Sequence, residues 1–166
     1  VCSSPAVADG KIFFGSNNNK VYCLNVSTGG FIWNYTTDDY VFSSPAVVDD
    51  RVYIGSYDNK VYCLDAATGG FIWSYTTGGC IRSSPTAIDG KVYFGSYDCN
   101  IYCLNAVNGS YIWSYATGDY VCSSPAVADG KIFFGSNNNK VYCLNVSTGG
   151  FIWNYTTDDY VFSSPA

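Results

Sequence analysis

The sequence predicts an all-β chain built as a tandem array of four-stranded antiparallel units, and three observations carry that prediction. First, the stretch Cys23-Leu24-Asn25-Val26-Ser27-Thr28-Gly29-Gly30-Phe31-Ile32-Trp33 returns at 63–73, 103–113 and 143–153, always forty residues further on and without insertion. A period near forty marks supersecondary units that must borrow burial from their neighbours. Second, Glu, Gln, His and Met are absent, whereas Tyr, Phe, Trp, Val, Ile and Thr are abundant. Losing strong helix formers while keeping β-branched and aromatic residues favours strands. Third, all thirteen acidic residues are Asp, a turn residue, and they cluster beside Gly and Asn.

Within one unit the elements follow from turn chemistry. A first strand over 3–8 is closed by Asp9-Gly10, and a second over 11–16 by Asn17-Asn18-Asn19. A third over 20–25 is closed by Ser27-Thr28-Gly29-Gly30, and a fourth over 31–37 leads through Asp38-Asp39-Tyr40 into the next unit. The middle strands (Ile12-Phe13-Phe14, Val21-Tyr22-Cys23-Leu24) are apolar on both faces, as a small sheet sandwiched between two others must be. Pro5 lies in the first strand, where a missing N–H is tolerated only at a sheet edge. The inner edge of a β-propeller blade supplies such an edge, and four strands per forty residues is the propeller pattern. The predicted fold is therefore a β-propeller-type array with blades at 1–40, 41–80, 81–120 and 121–160.

Residues 161–166 form the first strand of a further blade. Blade 4 is identical to blade 1, and 161–166 copies 41–46, so the true period is three blades. The chain has no Met and opens on Val1 inside a unit, which predicts a window of a longer array. Four blades are the lower limit for closure, and the chain is not expected to close on itself.

Composition narrows the partners. Net charge is −5 and the basic residues are scattered, so no phosphate-tracking stripe exists and nucleic acid is not an expected partner. No apolar run approaches a membrane span and no signal segment is present.

Residues 43–73, with Ser43-Ser44-Pro45-Ala46-Val47, Arg51-Val52-Tyr53-Ile54-Gly55-Ser56, Val61-Tyr62-Cys63-Leu64-Asp65-Ala66-Ala67-Thr68-Gly69 and Trp73, resemble the PQQ-like β-propeller repeat. The recurring stretch is similar to that family's tryptophan-docking motif: a small residue, Asp or Asn, Thr-Gly, then Trp. The WD40 repeat has a similar period, but its Gly-His and Trp-Asp dipeptides are missing. The resemblance implies that Trp33, Trp73, Trp113 and Trp153, with Gly29, Gly69, Gly109 and Gly149, fasten each blade to its neighbour. A buried Trp removes about 200 Å² from water, roughly 5 kcal/mol before entropy. Where the family usually has Ala, this chain has Cys23, Cys63, Cys103 and Cys143, read as small buried side chains against the Trp. Equivalent positions in neighbouring blades are expected to lie too far apart for disulfides between them.

The family includes quinoprotein dehydrogenases, which hold quinone and calcium with residues that break the repeat. Nothing breaks it here: there is no His, no Glu and no vicinal Cys-Cys pair. No catalytic, cofactor-binding or metal residue is therefore assigned. Four cysteines lie outside the repeated column. Cys80 and Cys99 replace Tyr and Asn of the other units together, in loops on one propeller face, which predicts a Cys80–Cys99 disulfide worth about 3 kcal/mol. Cys2 and Cys122 have no evident partner within the chain, and a cysteine of another subunit is the alternative.

N-glycosylation sequons stand at Asn25, Asn34, Asn108, Asn145 and Asn154. Asn25 and Asn108 also read as turn residues, whereas Asn34 lies on the outermost strand. Sequons and a disulfide together predict an exported, oxidising setting, extracellular or at the cell surface. Loops carrying Asn17, Asn18, Asn19, Asp38, Asp39, Tyr40, Tyr57, Asp58, Tyr97 and Asp98 could chelate calcium or contact sugar, although solvated turns account for them more simply.

The functional expectation is a non-catalytic extracellular structural or assembly protein, self-associating into polymers or filaments. The alternative is a multivalent binding propeller for a glycan or a protein. A quinoprotein dehydrogenase is disfavoured, and a designed or amplified propeller would be a variant of the structural class.

Overall fold

The computed structural model describes residues 3–165. Among these no helix forms, and sixteen strands fall into four separate four-stranded antiparallel sheets. Blade 1 contains β1 (Ala6–Ala8), β2 (Lys11–Ser16), β3 (Lys20–Asn25) and β4 (Phe31–Thr36). Blade 2 contains β5 (Ala46–Val48), β6 (Arg51–Gly55), β7 (Lys60–Asp65) and β8 (Phe71–Thr76). Blade 3 contains β9 (Thr86–Ile88), β10 (Lys91–Gly95), β11 (Asn100–Asn105) and β12 (Tyr111–Ala116). Blade 4 contains β13 (Ala126–Ala128), β14 (Lys131–Ser136), β15 (Lys140–Asn145) and β16 (Phe151–Thr156). In each sheet the strands lie side by side in chain order.

Two strand boundaries differ from the sequence expectation. The first strand begins at Ala6, after Pro5, and spans only three residues. Pro5 offers no N–H, and the preceding Ser3 uses its side chain instead, accepting from Gly15 N–H at 2.8 Å. Ser43 and Ser123 hold Gly55 and Gly135 in the same way. The fourth strand ends at Thr36, because the Thr37 hydroxyl donates to the Asp39 carbonyl at 2.7 Å and turns the chain away.

A bulge recurs in every blade. Cys23 pairs with Trp33, but Leu24 pairs with Phe31, leaving Ile32 as the extra residue. The same shift falls at Cys63/Leu64, Cys103/Leu104 and Cys143/Leu144. A bulge re-aims the side chains beside it. Here it leaves both Phe31 and Ile32 exposed while Trp33 turns inward above Cys23.

There is no single core. Three buried clusters lie between successive blades, and the first joins Phe13, Val21, Cys23 and Trp33 of blade 1 to Val52, Ile54, Tyr62 and Leu64 of blade 2. Each blade thus has an outgoing face, carrying the Trp, and an incoming face that receives the Trp before it. Blades converge at their first strands, where β1 contacts β5, β5 contacts β9 and β9 contacts β13. A serine ladder runs along this inner edge: Ser4 N donates to Ser44 Oγ, Ser44 N to Ser84 Oγ, Ser84 N to Ser124 Oγ and Ser124 N to Ser164 Oγ, each at 2.9 Å. Gly15 lets the next entry segment come close, since a Cβ there would collide with Val41.

The array is open among the described residues. Every residue of β16 is exposed, and on the incoming face of blade 1 Ile12, Phe14 and Leu24 border an apolar recess.

Candidate functional site

The repeated joint is the best-defined site in the molecule, and local turn chemistry builds it. Asp65 Oδ1 accepts from Ala67 N, Thr68 N and Thr68 Oγ1 at 3.0, 2.7 and 2.8 Å. The Thr68 hydroxyl, followed by the Thr68 N–H, holds the Asp65 carboxyl below its ordinary range. Gly69 N closes the turn on the Asp65 carbonyl at 2.8 Å. Asn25 and Asn145 make the same bonds to Thr28 and Thr148.

The turn presents a bare glycine to the preceding blade. Gly69, Gly109 and Gly149 have φ of +73°, +71° and +70°, where a side chain is strained. A Cβ on Gly69 would stand 2.7 Å from the Trp33 indole, one on Gly109 2.6 Å from Trp73, and one on Gly149 2.7 Å from Trp113. The indoles also donate: Trp33 Nε1 to the Ala66 carbonyl at 3.2 Å, Trp73 Nε1 to Ala106 at 3.1 Å and Trp113 Nε1 to Val146 at 3.2 Å. Apolar area and a satisfied N–H are thus buried together.

Trp153 has no such seat and is 42% exposed, against 6, 7 and 6% for Trp33, Trp73 and Trp113. At the other end Gly29, φ +67°, has nothing within 4 Å of the place a Cβ would take.

The three joints are not equal. Ala106 O also accepts from Tyr53 OH at 3.2 Å and Arg51 Nη1 at 2.8 Å, and Arg51 Nη1 reaches Val107 O at 2.8 Å. Burial pushes the Tyr53 hydroxyl up to about 12. Blade 1 has Lys11 and Phe13 at these positions. The Arg51 clamp escapes a motif-based reading because it links residues 55 apart. Its only sequence signal is an Arg where the other blades carry Lys.

The cysteines beneath the indoles are fully buried and free. Burial raises Cys63 and Cys103 to about 11, so they remain thiols at neutral pH and serve as packing atoms.

The Cys80–Cys99 disulfide is not formed, and both thiols are free. The backbones do meet, with Tyr97 N donating to Cys80 O at 3.0 Å. Cys99, however, sits at φ +72° in the left-handed turn position that Asn19, Asn59 and Asn139 occupy elsewhere. Its thiol folds back onto the Tyr97 carbonyl at 3.9 Å. Cys80 lies instead in the surroundings of Cys122 and Arg82, and burial raises both Cys80 and Cys122. Cys122 is also free, whereas Cys2 lies outside the described residues.

These side chains belong to a second cluster on the loop face. The Tyr97 ring stacks on Tyr120 at 4.7 Å, Phe42 meets Tyr57 at 4.8 Å, and a recess of about 300 Å³ is lined by Arg82, Cys122 and Phe162. Burial raises the Tyr97 hydroxyl, and the proximity of that hydroxyl raises the Arg82 guanidinium.

The acidic loops bind blade to blade. Asp58 Oδ2 accepts from Asp38 N at 3.0 Å and Tyr62 OH at 2.7 Å, and Asp98 Oδ2 from Gly78 N at 2.9 Å and Tyr102 OH at 2.6 Å. Among the described residues no three Asp or Cys side chains cluster as metal ligands would. Of the sequon residues, Asn34 and Asn154 project exposed from the outer strands, Asn25 and Asn145 hold their turns, and Asn108 Oδ1 accepts from Ser110 N at 3.0 Å.

The family model of the outer membrane protein assembly factor BamB matches residues 2–119 and 43–161. No curated protein matches the chain in sequence. Among solved structures, BamB from Moraxella catarrhalis superposes with a TM-score of 0.86 at 18% identity, over 98% of this chain and 54% of that one. A computationally designed protein gives 0.86 at 13% identity, over 96% and 50%. The quinohemoprotein alcohol dehydrogenase ADHIIG from Pseudomonas putida HK5 gives 0.84 at 20% identity, over 95% and 34%. The chain therefore spans about half or less of the length of these structures. With four-stranded blades, a docking Trp in each, and a family match along nearly its whole length, the chain belongs to the BamB-like family of PQQ-type β-propeller repeats.

Proposed function

We propose that the chain is a non-catalytic assembly module of an exported or cell-surface protein, whose repeated faces hold blades, and through them partners, together. One observation carries this reading: two loop carboxylates, the seated indoles and the thiols beneath them are engaged in joints. Asp58 and Asp98 bridge neighbouring blades, the indoles are seated on carbonyls, and burial raises the thiols away from thiolate. The family's description as an assembly factor points the same way. An exported setting is supported by the exposed sequons Asn34 and Asn154, and it does not need a disulfide. A second reading, a binding propeller for a glycan or protein, draws on the loop face, where Tyr40 and Tyr120 are 47 and 45% exposed.

The test is turnover. The full chain, incubated with a quinone cofactor and calcium and assayed for dye-linked alcohol oxidation, is expected to show none above the cofactor alone. Sustained enzyme-dependent turnover would overturn the non-catalytic reading. Titrating a glycan array against the same chain, with calcium and with chelator, separates the second reading from the first.

A further inference from the structure

The bulge on the outer strand of each blade brings together two residues that a regular strand would keep apart. Side chains three apart on an unbroken strand point to opposite faces. In blade 1 Asn34 pairs with Tyr22 and Phe31 with Leu24, and Tyr22 and Leu24, two apart on β3, share a face. The extra residue, Ile32, therefore carries Phe31 round to the side of Asn34 and away from Trp33. Blade 3 shows the contact that results, since Tyr111 OH and Ser114 Oγ, in the same two places, lie 3.1 Å apart. Blade 4 has the pairings of blade 1, with Asn154 opposite Tyr142 and Phe151 opposite Leu144.

Both places stay open inside the array. Phe71 and Tyr111 are 54 and 53% exposed although a blade stands on either side, and Ser74 and Ser114 are exposed with them. Asn154 is exposed on the side that faces blade 3, while the Phe151 ring beside it lies along Tyr115 at 6.4 Å. The outer rim thus offers an aromatic ring supported by the preceding blade, with an amide next to it.

Asn34-Tyr35-Thr36 and Asn154-Tyr155-Thr156 are N-glycosylation sequons, and blades 2 and 3 carry Ser74 and Ser114 in place of the Asn. The other sequon residues are committed to turns, with Asn25, Asn145 and Asn108 each accepting from a backbone N–H two residues on.

We propose that Asn34 and Asn154 carry N-linked glycans whose first sugar packs on the rings of Phe31 and Phe151. This rests on the exported setting of the proposed function and deepens it. The bond formed joins the side-chain nitrogen to C1 of an N-acetylhexosamine. The bond broken is the one from C1 to the oxygen of a lipid-pyrophosphate donor, whose pyrophosphate leaves with the electron pair while the amide gives up one proton. An aromatic face is negative and attracts the polarised C–H groups of a sugar. The glycan also protects the strand that bears it. β4 and β16 are edge strands with neither charge nor Pro along Phe-Ile-Trp-Asn-Tyr-Thr, and such an edge invites pairing with other chains. A bulky, hydrated glycan at its centre closes that edge.

Passage of the 166-residue chain through a eukaryotic secretory pathway tests the site. After tryptic digestion, peptides 21–51 and 141–166 are expected to carry hexosamine-containing glycans, placed at Asn34 and Asn154 by fragmentation. Asn34→Ser with Asn154→Ser installs the residue of blades 2 and 3, so the fold is kept and the glycan mass is lost. The glycosylated wild type is expected to melt about 2–4 °C above this variant. Phe31→Leu with Phe151→Leu keeps apolar bulk and removes the rings, and in that background the glycan's gain should vanish. Bare Asn34 and Asn154 in the chain recovered from the host, or glycans confined to Asn25, Asn108 or Asn145, would overturn the site. A gain of equal size with and without the rings would overturn the sugar seat. The host supplies the export, so a bare Asn34 counts against the site alone, and the non-catalytic reading stands or falls on turnover.

Discussion

The joint between blades 2 and 3 and the open face of blade 4 are made from the same parts. At the first, Trp73 lies on Gly109, its N–H satisfied by Ala106 O, with Arg51 and Tyr53 sharing that carbonyl. At the second, Trp153 follows the same bulge, faces Cys143 across the strands and contacts Phe133 at 6.0 Å, much as Trp73 contacts Tyr53 at 5.9 Å. The blade shapes its own Trp in both places. What blade 4 lacks is the glycine and carbonyl of a following blade. The docking motif is therefore two half-sites on successive blades, a Trp on one and a glycine with its nearby carbonyl on the next, and its energy belongs to the pair of blades.

The largest test of this contrast is Trp73→Ala against Trp153→Ala in dilute solution. Emptying a buried aromatic site costs about 3–5 kcal/mol, whereas an exposed Trp with no seat should cost about 1 kcal/mol or less. Urea unfolding should show a large fall in midpoint for the first variant and a small one for the second. Equal losses would mean that Trp73 acts within its own blade and not across the joint.

Next in size is the glycine partner. Gly109→Ala and Gly29→Ala carry the same backbone cost, about 1 kcal/mol for a left-handed Ala, since φ is +71° and +67°. Only Gly109 has an indole 2.6 Å from the new methyl, so overpacking adds about 1–3 kcal/mol there. The difference between the two unfolding free energies isolates the steric part. A difference near zero would show that the indole can step aside.

The division between legible and hidden features follows the same line. The strands, turns, blade boundaries and the Trp–Gly motif could be read because each rests on a short local pattern repeated four times. Asn25, Asp65 and Asn105 each begin a tight turn whatever lies beyond. The Cys80–Cys99 pairing went wrong at the next level. Loop placement follows from topology, but thiol direction follows from φ. The Asn column at 19, 59 and 139 is a left-handed column, so its occupant turns back on its own loop. The bulge at Cys23/Leu24 has no marker in an apolar strand, and the serine ladder depends on how blades converge.

Arg51→Met sharpens the comparison among sealed joints. It removes two bonds from a guanidinium to the carbonyls of Ala106 and Val107 while keeping most of the apolar stem. Tyr53 and Trp73 still satisfy Ala106 O, so no acceptor is orphaned there, and a loss of about 1–2 kcal/mol is expected. Lys91→Met at the following joint should change stability much less. A loss of similar size at Lys91 would show that the apolar stem, and not the guanidinium, ties blade 2 to blade 3.

The smallest effect separates the turn of blade 2 from those of blades 1 and 3, where Asn stands in place of Asp65. All three turns accept the same backbone N–H groups, but only Asp65 titrates, and Thr68 holds its pKa below the unfolded value. Its contribution is fully present above the ordinary aspartate range, about pH 3.9, and is lost as pH falls through the lowered folded value. The Asp65 carboxyl is largely in water, so the shift in thermal midpoint is small. Asp65→Asn should match the wild type at neutral pH, because Asn accepts the same bonds in blades 1 and 3. It should then fall less steeply than the wild type as the solution is acidified. Parallel curves down to the acid limit would mean that the carboxylate is a spectator and that turn geometry alone holds Gly69 beneath the indole of Trp33.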